Sequence, residues 1–139
     1  MPRIIGLDVG SKRVGVAVSD EIGIIATPRG AIPRHSFNKD AAAIADLVEA
    51  ESAARVVVGL PVGLSGEPTE QTRRVERFAA MLASRLSVPV DLWDERLTTA
   101  MARQVDPASA RPEARRRGRA DALAAGFILQ SYLDRQPRS

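Results

Sequence analysis

The chain contains no cysteine, which excludes a disulfide framework, a thiolate nucleophile and any cysteine zinc site. It has one histidine, His35. No imidazole cluster can therefore be built, and zinc is a poor candidate for any metal site. His35 sits in no metal-ligand spacing and is expected to be an exposed loop residue. Aromatic residues make up 4% of the chain, too few to suggest a sugar-binding groove. No run approaches the roughly 18 apolar residues of a membrane span. The N-terminal stretch lacks the basic-then-apolar pattern of a secretion signal, and a cytoplasmic address is the expectation.

Lysine is scarce as well. Of the 20 basic residues only Lys12 and Lys39 are lysines, and the rest are arginine. Guanidinium forks match phosphate bidentately, so nucleic acid is the expected partner. The charge is also uneven. Residues 111–119 (RPEARRRGR) hold five arginines against one glutamate, a local +4 within a net charge of +3, so the remainder is close to −1. The competing reading is a solvated basic surface. A length of 139 residues with 45% hydrophobic content fits one domain with a real core, spanning 1–139.

Along the chain, residues 3–9 and 14–19 alternate with period two, as strands do. Ile5, Leu7 and Val9 share one face of the first, and Val14, Val16 and Val18 one face of the second. Gly10-Ser11-Lys12-Arg13 forms the turn between them. A third strand over 24–32 contains Pro28, which suits an edge or a bulge. The period then becomes helical at Ala41, Ile44, Leu47 and Val48, after a possible cap at Asn38. RVVVGLP (55–61) reads as a buried strand and 62–68 as a glycine-rich loop. Thr69 caps a helix whose apolar stripe is Val75, Phe78, Ala79, Leu82 and Leu86. Val88–Trp93 is a further strand. A short helix over 98–105, a loop over 106–118 and a last helix over 119–134 complete the pattern. The order β-β-β-α-β-α-β-α implies an α/β fold, a mixed sheet with helices on its faces.

Three acidic residues stand in unusual places. Asp8 lies inside an apolar strand, on the face it shares with Gly6; Gly15 and Ala17 on the next strand are also small. Such a face leaves room for an ion, or for a closely packed helix. Helix packing accounts for the glycines but not for the charge, since an uncompensated buried carboxylate costs several kcal/mol. Glu95 follows the strand PVDLWDER, where ligands gather beyond strand ends, and Asp94 competes with it for that role. Asp121 lies on the inward face of the last helix with Ala124, Ala125, Ile128 and Tyr132. In the first turn of a helix, the dipole alone would favour it. Three oxygen-donor groups on separate elements suit Mg2+ or Mn2+, and two such ions clamp the attacking and leaving oxygens of a phosphodiester. Lys12, Arg13, Arg96, Arg115, Arg116, Arg117 and the backbone of 62–67 are the candidate phosphate contacts.

These segments together resemble the YqgF family, also called RuvX. The resemblance is carried by GLDVGSKRVGVAVSD (6–20), VVVGLPVGLSG (56–66), DERLTTAMA (94–102) and RADALAAGFILQSYL (119–133), four ordered blocks covering most of the chain. It implies an RNase H-like fold related to RuvC-type Holliday junction resolvases. It further implies metal-binding acids at Asp8, Glu95 and Asp121, and nuclease action on the 5′ end of pre-16S rRNA. The same resemblance leaves open resolution of branched DNA, which requires a dimer, and a non-catalytic role in ribosome assembly; the oligomeric expectation is monomer or homodimer. One departure stands out. RuvC-type resolvases and RNase H enzymes usually carry an acid at the end of the fourth strand, whereas here that strand ends GLP, and in the YqgF family Glu95 takes its place. The first hairpin also resembles the phosphate-binding hairpin of actin-like ATPases, but those pair two such domains around a nucleotide.

Overall fold

The computed structural model describes residues 2–97 and 114–137, with only the backbone of 114–118. Among the described residues there are five strands: β1 (Arg3–Val9), β2 (Arg13–Ser19), β3 (Ala26–Pro33), β4 (Ala53–Leu60) and β5 (Val90–Asp94). The helices are α1 (Phe37–Ala50), α2 (Glu70–Arg85) and α3 (Ala114–Asp134). They alternate as the sequence periodicity requires, and a 3-10 turn at Glu95–Leu97 follows β5.

The sheet has the order β3-β2-β1-β4-β5. β1, β2 and β3 form an antiparallel meander, and β4 and β5 continue parallel to β1. The chain is thus an α/β protein with a mixed five-stranded sheet. Pro28 lies on the edge strand, beside a register shift in the β2–β3 pairing, where its missing N–H is tolerated.

Strand alternation gives each sheet face its own core. Ile5, Leu7, Val9, Val14, Val16, Val18, Val56 and Val58 pack against Ile44, Val48, Val75, Phe78 and Leu82 of α1 and α2. Ala17 and Val57 on the opposite face pack under Ala125, Ile128, Leu129, Tyr132 and Leu133 of α3. That second face also carries the small residues, and α3 uses their lack of bulk. A methyl group at Gly6 would come 2.7 Å from Leu129 Cβ, and one at Gly15 would overlap the carbonyl of Asp121. Over Gly6 and Gly15, then, the helix fills the space and leaves no room there for a ligand.

Three local expectations change. α1 is capped by Ser36, whose hydroxyl accepts from the Lys39 N–H at 3.2 Å. Asn38 lies inside the helix, and its side-chain carbonyl accepts from Arg85 instead. Ser36 is the better cap because its extended backbone aims the hydroxyl at the orphan N–H groups of the first turn. The second change is that α3 starts at Ala114, so residues 114–118 are helical rather than loop. Alanine and arginine are strong helix formers, and Gly118 costs only about 1 kcal/mol within such a run. Lastly, β5 includes Asp94, one residue beyond Trp93. The helix expected over 98–105 and the loop expected up to residue 113 lie outside the described residues.

Candidate active site

Asp8 pairs with Gly15 across the β1–β2 ladder, and α3 crosses directly above that pair. Because Gly15 has no side chain, the backbone of Asp121 can sit against β2. Asp121 is thereby brought to Asp8, and its negative charge acts on it. Asp8 is pushed up to about 6, first by burial and then by Asp121.

The start of α3 changes how Asp121 is to be understood. It lies roughly two turns beyond Ala114, outside the first turn over which a helix dipole acts. The dipole therefore does not account for an acid here. Its partner is Arg13, which leaves the top of β2 and donates from Nε to Asp121 Oδ2 at 2.7 Å.

Glu95 comes from the turn after β5 and leans over β4. Its Cγ lies 3.1 Å from where a side chain on Gly59 would begin. Gly59 pairs with Trp93 and faces α3. The fourth strand has no acid of its own, and the space above its end is filled by the acid from beyond the fifth. Glu95 is pushed up to about 7, by burial first, then by Asp8 and Asp94. Asp94 is engaged elsewhere. It accepts from the Arg96 N–H at 2.8 Å and from Arg96 Nη2 at 2.7 Å, and these bonds hold its carboxyl below the usual range. Of the two neighbouring acids, Glu95 is the one turned to Asp8.

Asp8 thus lies within electrostatic reach of both Asp121 and Glu95 at one end of the sheet. Among the described residues, no three acidic or histidine side chains already surround a common point as the ligands of one ion would. Asp121 is drawn to Arg13 instead.

The expected phosphate contacts divide. Lys12 is exposed on the hairpin between β1 and β2. Arg13 and Arg96 are each occupied by an acid. In the loop 62–67, the Gly63 and Gly66 N–H groups donate to the carbonyls of Glu67 and Gly63, and Ser65 N–H donates to the Glu67 carboxylate. An acidic side chain therefore fills the nest that was a candidate for phosphate. Arg115, Arg116 and Arg117 belong to the first turns of α3, and their side chains lie outside the described residues. His35 is exposed, as expected.

Sequence reasoning missed two contributors, Gly59 and the Arg13–Asp121 pair. Gly59 had a visible signal: it falls in step with Val57, two residues earlier on the α3 face. The ion pair had none, because its partners are 108 residues apart.

Known proteins place this architecture. A family model described as "RuvX: Holliday junction resolvase" matches residues 2–135. A protein of Syntrophus aciditrophicus named "Putative pre-16S rRNA nuclease" is 45% identical over 132 residues, covering 95% of this chain and 88% of its own. One of Chloroflexus aggregans with the same name is 44% identical over 131 residues, covering 94% and 92%. Among solved structures, T. thermophilus RuvC in complex with a Holliday junction substrate aligns with a TM-score of 0.59 at 15% identity, over 96% of both chains. The yeast mitochondrial Holliday junction resolvase Ydc2 aligns with a TM-score of 0.54 at 12% identity, over 96% of this chain and 79% of its own. At these identities the two structures speak to the fold, which is RNase H-like.

Proposed function

This chain belongs to the RuvX family, and on that premise we propose that it is a divalent-metal-dependent nuclease, a single domain over 1–139, that trims the 5′ end of pre-16S rRNA. The supporting observation is that Asp8 lies within electrostatic reach of both Asp121 and Glu95, with Asp8 and Glu95 buried enough to be pushed up toward neutrality. A fold keeps such mutually repelling acids at a cost, and a cation between them removes that cost.

The donor set fits Mg2+ or Mn2+. It consists of carboxylate oxygens on three separate elements, and the chain has no cysteine and one histidine, the exposed His35. Asp8, Glu95 and Asp121 would hold the metal, which supplies an activated water and neutralises charge on the phosphate. The protein's part is positioning. α3 excludes solvent from one side of Asp8, and Gly59 leaves room for Glu95 over β4. Arg13 neutralises Asp121 in the absence of other cations; once released from it, Arg13 is placed to meet a phosphate oxygen together with Lys12. The arginines of α3 supply further phosphate contacts.

A second reading, resolution of branched DNA by a homodimer, is favoured by the description of the family model. A third, a non-catalytic RNA-binding assembly factor, would leave three clustered acids without a purpose. One assay separates all three. Purified protein is incubated with precursor rRNA fragments and with four-way DNA junctions, in Mg2+ or Mn2+, beside the Asp8→Asn variant. Metal-dependent cleavage of RNA that is lost in the variant supports the proposal. Cleavage confined to junctions supports the second reading, and metal binding without turnover on either substrate supports the third.

A further inference from the structure

On the opposite face of the sheet from the three acids lies a cavity of about 530 Å³ that the chemistry described above does not use. Its floor is apolar: Val9, Phe37, Val75 and Phe78, with Met81 at the margin. Phe37 and Phe78 meet edge to face at 5.6 Å. Arg34 forms a fixed wall. It donates to Asp40 at 2.9 Å and to the Gly10 carbonyl at 2.6 Å, and it lies over the Phe78 ring at 5.0 Å. Arg74 and Arg77 stand on α2 at the mouth. Arg77 makes no ion pair among the described residues. Arg74 pairs with Glu70, at 3.3 Å on the exposed surface, a contact that a phosphate can displace at little cost.

We propose that this cavity seats a nucleotide of the substrate strand, flanking the phosphodiester that is cut. The proposal rests on the nuclease reading and adds a second point of attachment to it. The volume is in the range of small-ligand sites. An aromatic and aliphatic floor accepts the face of a base, and paired guanidinium groups at the rim accept its phosphates. The location follows from strand geometry. Val9, in the floor, and Asp8, in the acid cluster, are consecutive residues of β1, so their side chains point to opposite faces. The hairpin of residues 10–13 forms the ridge between them. It lends Gly10 and Ser11 to the cavity and Arg13 to the acids. A strand laid across this ridge meets the acids on one side and the cavity on the other.

The test is binding of a labelled oligoribonucleotide, read by fluorescence anisotropy over a range of salt, alongside steady-state cleavage. The double variant Arg74→Gln/Arg77→Gln is expected to bind about tenfold more weakly and to flatten the salt slope by about one to two units. KM rises with it while kcat stays near wild type. Met81→Glu, which places an anion at the rim of the cavity, is expected to weaken binding similarly without changing the thermal midpoint. Arg73→Gln, exposed on the same helix but outside the cavity, is the control and should bind normally. Wild-type affinity and salt slope in both the double variant and Met81→Glu would overturn the proposal. So would an equal loss in Arg73→Gln, which would mean diffuse charge attraction. If metal-dependent cleavage persists while the cavity variants are silent, the cavity proposal alone fails. If these binding differences appear in a protein that cleaves nothing, the nuclease reading fails and the cavity stands. A wild type that binds no oligonucleotide overturns both.

Discussion

At Asp8 a carboxylate is held among apolar neighbours and faces a second acid, so it keeps its proton to about pH 6. Asn at this position is nearly isosteric and removes the charge. Asp8→Asn is therefore expected to abolish cleavage by orders of magnitude while raising the stability of the metal-free protein at pH 8. From the ordinary 3.8 to about 6, at about 1.4 kcal/mol per pH unit, the gain is on the order of 3 kcal/mol, and urea unfolding of the two proteins side by side measures it. Gly15 is the complementary case, a residue whose lack of a side chain positions another residue's acid. Gly15→Ala forces the Asp121 backbone away from β2. The cost expected for such overpacking is about 1–3 kcal/mol, visible as a lower Tm, together with a loss of activity larger than the loss of folded protein. A Gly15→Ala variant with wild-type Tm and turnover would mean that α3 does not need this close approach.

Among the elements, strands and helices were readable wherever one face is buried, because burial imposes a period on the sequence. β1, β2, α2 and the stripe of α3 are such cases. Asp8 and Asp121 were legible for a related reason, each being a charge set on an apolar face. What periodicity does not encode is contact between distant segments. The choice of Glu95 over Asp94 depends on which acid Arg96 takes, and the tie from Arg13 to Asp121 depends on α3 crossing β2. The loop expected over 106–118 rests on its two prolines, Pro107 and Pro112, whereas the alanine and arginines that follow them are strong helix formers and start α3 at Ala114. That difference has a measurable consequence. The backbone of 115–117 is helical, and three successive helical positions spread over about 200° around an axis, wider than one phosphate track. Replacing Arg115, Arg116 and Arg117 by Ala is expected to weaken RNA binding and to flatten the salt slope by about one to two units rather than three. Salt titrations of the triple variant and of each single variant would show which arginines contribute.

For the molecule as a whole, the acid cluster links stability to pH and to metal. Asp8 and Glu95 bind their protons more tightly folded than unfolded. Below about pH 4 both are protonated in either state and impose no penalty. As pH rises through about 6 and 7 they ionise in the fold, and the metal-free protein loses stability. Thermal midpoints should therefore fall between pH 5 and 8 in chelator, and Mn2+ should raise them more at pH 8 than at pH 5. A midpoint that Mn2+ leaves unchanged at pH 8 would count against metal binding by these acids. The placement of α3 has a consequence in time as well as in space. All five strands precede it along the chain, so during translation the α1 and α2 side of the core can form while the other side of the sheet is still bare. Until α3 docks, Asp8 and Glu95 stand without Asp121. On the proposed site, a nascent chain is expected to stay inactive toward the RNA of the ribosome that is making it until its last helix closes over the sheet.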